Sequence, residues 1–104
     1  MKRRRNILKQ VKGFRHGRKS KERMAREALL HAGLHAFHDR RKKKRNMRAL
    51  WQVKINAASK ANGISYSKLI NSFKKANIKL DRKIMARLAE HQPNIFSKVV
   101  AIAK

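Results

Sequence analysis

Cysteine is absent, which removes disulfides, thiolate metal sites and cysteine nucleophiles at one stroke. Acidic residues are scarce: five of them (Glu22, Glu27, Asp39, Asp81 and Glu90) against 30 lysines and arginines. No two are spaced as an acid/base pair, and Glu22 and Glu27 fall on different faces of any helix. Four glycines and one proline leave no phosphate loop, since Gly13 and Gly17 match neither the phosphate-loop nor the dinucleotide spacing. A catalytic site needs several positioned groups, so these absences argue against an enzyme. No apolar run approaches the ~20 residues that span a bilayer, and no secretory core region is present. The start, Met1-Lys2-Arg3-Arg4-Arg5, has no acid before Glu22, as in an organelle transit peptide, but the positive charge continues to the C-terminus.

What remains is positive charge on a chain of 104 residues, with a net of +25. That length holds one domain with an extension, and such a charge repels itself unless a polyanion neutralises it. Residues 1–60 carry 21 Lys and Arg against three acids, whereas residues 61–104 carry nine against two. The first part has no proline and few apolar residues. The second has regular apolar periodicity and turn signals. The chain therefore reads as a basic, mostly helical extension over 1–60 followed by a small all-helical domain over 61–104. The end of the preceding helix, about residues 49–60, completes that domain's core.

The fold class is all-α. Ile7, Leu8 and Val11 support a short helix over 2–12, which Gly13 and Gly17 interrupt. Ser20 is the expected N-cap of a helix from Lys21 to Ala61, closed by Asn62-Gly63. Such a helix is polar all round in its middle turns and needs a non-protein partner. Three short helices follow. Ser65 caps the first, with Leu69, Ile70, Phe73 and Ala76 inward. The turn Ala76 to Leu80 holds two buried anchors. Asp81 caps the second, with Ile84, Met85, Leu88 and Ala89 inward. Gln92-Pro93 fits N-cap and N1 of the third, with Phe96, Val99, Val100 and Ala103 at helical spacing. Leu50, Trp51, Val53, Ile55, Ala57 and Ala58 are expected to complete the core. No strand pattern and no internal repeat is present.

Arg40-Arg41-Lys42-Lys43-Lys44-Arg45 is the strongest local signal. Six consecutive cations on a helix point in all directions, which suits enclosure by phosphates between RNA helices better than a single duplex face. A DNA reader would need a compact recognition helix and a dimer seam, and neither is evident. His31, His35 and His38 share one helix face at a spacing that could hold zinc. The adjacent cations oppose a dication there, so no metal and no cofactor is expected, and the imidazoles read as base-stacking or phosphate-contacting groups. Phe14, Phe37 and Tyr66 are candidates for stacking on bases, while Trp51 and Phe73 fit the core by spacing.

At the level of motifs the chain resembles bacterial large-subunit ribosomal protein number twenty. The resemblance rests on Leu50-Trp51-Gln52-Val53-Lys54-Ile55-Asn56-Ala57-Ala58 followed by Asn62-Gly63-Ile64-Ser65-Tyr66-Ser67. Ile7-Leu8-Lys9, Lys12-Gly13-Phe14, Asp39-Arg40-Arg41 and Leu80-Asp81-Arg82-Lys83 add to it, in order along most of the chain. Several positions depart from the pattern. Gln52 follows the tryptophan in place of Ile or Val, Lys54 stands for an arginine, Phe14-Arg15 replaces two tyrosines, and His35 and Phe37 stand where tyrosines are usual. The chain also begins later than the family pattern, either as a trimmed member or as an incomplete start. The resemblance implies a non-enzymatic component of the large ribosomal subunit. It further implies direct binding of large-subunit ribosomal RNA, a role early in subunit assembly, neighbouring large-subunit ribosomal proteins as partners, and in some members repression through the protein's own mRNA leader. No homo-oligomer and no membrane partner is expected. The protein is expected in the ribosome, in the cytoplasm of a bacterium, with an organellar ribosome left open.

The expected RNA-binding residues follow from charge and from that resemblance. Arg3, Arg4, Arg5, Lys9, Lys12, Arg15, Arg18, Lys19, Arg23 and Arg26 would meet phosphates along the threaded part, with Phe14, His35 and Phe37 against bases. Arg40, Arg41, Lys42, Lys43, Lys44, Arg45 and Arg48 would brace adjoining RNA helices, and Lys54 keeps a charge near them. Asn62, Gly63, Ser65, Tyr66 and Lys68 would dock at a helix N-terminus, in a surface widened by Lys74, Lys75, Arg82 and Lys83.

Overall fold

Ile7 and Leu8 lie half-buried on the first helix, α1 (Lys2–Gln10), and Val11 just beyond it is fully buried. The computed structural model describes residues 1–104 and contains helices only. After α1 come a 3-10 helix (His16–Lys19), α2 (Glu22–Ala61), α3 (Tyr66–Lys75), α4 (Arg82–His91) and α5 (Pro93–Ala103). Two compact units divide within α2, residues 1–43 and residues 44–104.

In the first unit, α1 stops before the expected residue 12. The Phe14 N–H donates to the Val11 carbonyl at 3.0 Å, and Gly13 turns the chain at φ +88°, a conformation that costs a residue with a Cβ. His16 also adopts a left-handed φ of +60° and opens the 3-10 helix, an element that no residue pattern announced. Ser20 is not the cap of α2. Lys21 holds that place, its carbonyl accepting the Ala25 N–H at 2.8 Å, while the Ser20 N–H turns back to the Gly17 carbonyl. Ala25 is fully buried.

The long helix forms as its composition dictates. Ala, Leu, Met, Lys and Arg dominate it, and these are the strongest helix formers. Gly33 is its single glycine. Every residue from 30 to 50 is exposed, so this stretch draws nothing from packing. α2 ends in a Schellman motif: the Ile64 N–H donates to the Ser59 carbonyl and the Gly63 N–H to the Lys60 carbonyl, each at 3.0 Å, with Gly63 at φ +76°. α3 ends the same way, with Asn77 at φ +57° in the glycine's place. There the Ile78 N–H reaches the Phe73 carbonyl at 2.9 Å and the Asn77 N–H reaches the Lys74 carbonyl. Ile64 and Ile78, each next after the left-handed residue, pack against the core.

The core of the second unit is Ile55, Leu69, Phe73, Met85, Ala86, Phe96, Val100 and Ala103. α5 packs on both α3 and α4. Gln92 and Pro93 occupy the expected N-cap and N1 places. Proline drives the residue before it out of the helical region, and Gln92 alone separates α4 from α5. Ser65 and Asp81 hold the expected N-cap positions with extended backbone, but neither side chain bonds a helix N–H. Five expected core positions are corrected. Leu50, Val53 and Ala57 are exposed, because the helical repeat turns Trp51, Ile55, Ala58 and Ser59 inward instead. Ala76 is exposed at the C-cap of α3, and Ile84 is exposed while Ala86 takes the buried place. Ser59 is buried without cost in unmet polarity, since its Oγ donates to the Asn56 carbonyl at 2.9 Å.

Candidate nucleic-acid interface

In the first unit, α2 presents Met24, Ala28, His31, Ala32 and His35 along one stripe, and the turn at 14–18 faces it. The two line a pocket of about 580 Å³ together with Phe14, Arg15, Arg18 and Glu27. Gly17 sets how closely the turn approaches, for a Cβ there would lie 3.2 Å from the Met24 Sδ. Phe14, Arg15, Arg18 and His35 were expected at a binding surface. The fold brings these four together across some twenty residues of chain, which their spacing alone did not show. Glu27 and Met24 were not expected there, whereas His31 joins His35 as one of the imidazoles expected to stack on bases or contact phosphates. No group of three or more His, Asp or Glu side chains converges as a metal site. His31 Nε2 instead lies 3.9 Å from Glu27 Oε1.

Arg3, Arg4, Arg5, Lys9 and Lys12 are exposed on and just after α1, as are Lys19, Arg23 and Arg26. Arg26 Nη2 donates to Glu22 Oε1 at 3.2 Å, so its charge is partly answered within the chain. Arg40, Arg41, Lys42, Lys43, Lys44, Arg45 and Arg48 are all exposed, and none of them pairs with a carboxylate. The Arg41 guanidinium sits over the Phe37 ring at 3.9 Å from its centroid, and His38 meets that ring edge-on at 5.7 Å. Phe37 thus already has a cation over it, which holds Arg41 in place.

In the second unit a groove of about 340 Å³ is lined by Arg48, Trp51, Leu80, Asp81, Arg82 and Lys83. Arg82 Nε donates to the Tyr66 hydroxyl at 3.0 Å, which joins the start of α4 to the start of α3. Asn62 is tied internally, because its Nδ2 donates to the Ala58 carbonyl and its own carbonyl accepts from Lys104 Nζ. Gly63, Ser65, Lys68, Lys74 and Lys75 are exposed. Lys54 Nζ donates to Glu90 Oε2 at 2.8 Å, and that bond, with the charge behind it, holds the Glu90 carboxyl below its ordinary range.

A helical stretch exposed throughout from 30 to 50, bearing seven cations without a carboxylate partner and running on into a small helical core, belongs to a basic structural protein suited to a polyanion. Comparison with known proteins gives the particular family. The family model described as Ribosomal protein L20 matches residues 1–99, and this chain belongs to that family. The large ribosomal subunit protein bL20 of Chloroflexus aggregans is 47% identical over 103 residues, covering 99% of this chain and 87% of the relative. That of a Picosynechococcus species is 50% identical over 103 residues, covering 99% and 89%. That of Citrifermentans bemidjiense is 52% identical over 102 residues, covering 98% and 87%. The chain is therefore a non-enzymatic protein of the large ribosomal subunit.

Proposed function

We propose that the protein binds large-subunit ribosomal RNA directly and promotes early assembly of the subunit. One observation carries this reading: from 30 to 50 every residue of α2 is exposed, and Arg40–Arg45 and Arg48 have no carboxylate partner. A helix of that charge is stabilised by phosphates on several sides, with release of the counterions they held. The extension, residues 1–60, threads among RNA helices through Arg3–Arg5, Lys9, Lys12, Arg15, Arg18, Lys19, Arg23 and Arg26. The domain that follows docks through Gly63, Ser65, Tyr66 and Lys68, with Lys74, Lys75, Arg82 and Lys83 beside them. Lys54 contributes less than its charge suggests, being bonded to Glu90. Neighbouring ribosomal proteins meet it at the edges of the RNA site.

The test is filter binding of the full chain to transcribed large-subunit RNA and to duplex DNA of equal length, over a range of salt. Tighter binding to the RNA, falling steeply as salt rises, is the expected result. Equal affinity for both polymers, or a log–log slope near zero, would overturn the reading.

A further inference from the structure

The pocket of the first unit contains one residue that a surface made only for phosphates would not keep. Of the other four acids, Glu22 pairs with Arg26, Glu90 pairs with Lys54, Asp81 holds the N-cap position of α4 without a side-chain bond, and Asp39 is exposed in the middle of α2, away from the turn at 14–18. The residue is Glu27. It forms no ion pair with lysine or arginine, and His31 Nε2 lies 3.9 Å from its Oε1, beyond hydrogen-bond length. Beside Arg15 and Arg18 its carboxylate weakens the pull on a phosphate. A carboxylate only accepts hydrogen bonds, so the ligand it suits carries N–H donors.

The remaining walls say which donors. Phe14, His31 and His35 are flat rings around a space of about 580 Å³, within the ~300–1,000 Å³ of small-ligand pockets. Unstacked bases in RNA are held by such rings and read along their Watson–Crick edges. Guanine alone presents two adjacent donors there, N1–H and the N2 amino group, matching the two oxygens of one carboxylate. Adenine and cytosine set a single amino group beside an acceptor, and uracil sets one N–H between two carbonyls.

We propose that this pocket receives a single unstacked guanine, its edge on Glu27, its face against Phe14 and the imidazoles, and its phosphate at Arg15 and Arg18. The inference deepens the RNA-binding reading and rests on it for its biological setting.

The test titrates the full chain, labelled at its aromatic carbons, with GMP, AMP, CMP and UMP separately at fixed salt. The side-chain signals of Phe14, His31 and His35 are followed. GMP should saturate them with a dissociation constant on the order of tenfold below that of AMP. In Glu27→Gln, which presents one acceptor and one donor, that ratio should fall to near one. Four equal affinities, a guanine preference that survives Glu27→Gln, or unmoved signals would each overturn the proposal. Binding of a single-stranded uridine oligomer, measured alongside, separates the two readings. If it is strong and salt-dependent while the nucleotides are not distinguished, the pocket assignment fails alone. If it is absent, the phosphate mechanism fails, and the nucleotide titration still decides the pocket.

Discussion

Lys54 Nζ and Glu90 Oε2 stand 2.8 Å apart, joining the last turns of α2 to the end of α4. The bond favours the charged carboxylate, so Glu90 titrates lower in the folded chain than in the unfolded one. Its contribution is therefore complete above the ordinary glutamate value of about 4.3 and is lost as the pH falls through the lowered one. Thermal unfolding of the full chain should show a midpoint that drops in this acid window, and Glu90→Gln should flatten the dependence there. Parallel curves for the two proteins would remove the ion pair from the account.

The matched ends of α2 and α3 make a paired prediction. Gly63 and Asn77 both hold the left-handed place in the same motif. Nothing lies within 4 Å of a Cβ built on Gly63, so Gly63→Ala should cost backbone strain alone, about 1–2 kcal/mol. Asn77→Gly should change stability by less than about 1 kcal/mol, because asparagine already tolerates that conformation. Urea unfolding of both variants, compared with the parent chain, measures the difference.

Phe96 is 1% exposed in the core, whereas Leu34 is 54% exposed on α2. Phe96→Ala should destabilise the second unit by about 3–5 kcal/mol, enough to leave a unit of this size near its unfolding midpoint at room temperature. Leu34→Ala should stay within about 0.5 kcal/mol. Trp51, half-buried against that core, reports the loss by its fluorescence.

Much of the second unit was legible because its signals are local. Pro93 fixes a helix start, Gly63 fixes an end, and the spacing of Phe96, Val99, Val100 and Ala103 selects a face. Apolar character alone does not fix which face of a helix is buried; the 3.6-residue repeat does. Leu50, Val53 and Ala57 cannot share a face with Trp51 and Ile55, and the buried Ser59 is polar yet satisfied within its own helix. The first unit was less legible for a different reason. Its turn depends on His16 at φ +60°, a conformation no side chain advertises. Its pocket depends on residues 14–18 meeting α2, a contact between places distant in sequence.

Under the proposed mechanism, replacing Arg40–Arg45 by alanine removes up to six phosphate contacts. The slope of log K against log salt should then shrink by roughly four to five, at about 0.7–0.9 for each contact. Alanine preserves the helix, so the unfolding transition of the second unit should not move. An unchanged slope would show that these cations are not on the RNA.

The bare middle of α2 also bears on the fate of chains that have not found their place. A stretch with no tertiary packing opens at the low free energy of local fraying, and it offers seven successive targets to any protease that cuts after lysine or arginine. Limited digestion with trypsin should therefore sever the free protein first between residues 40 and 48, while bound phosphates would shield the same bonds. Under the proposed mechanism, exposure of this kind would make the surplus protein short-lived and the seated one durable, so that the number of copies surviving would follow the number of places to put them.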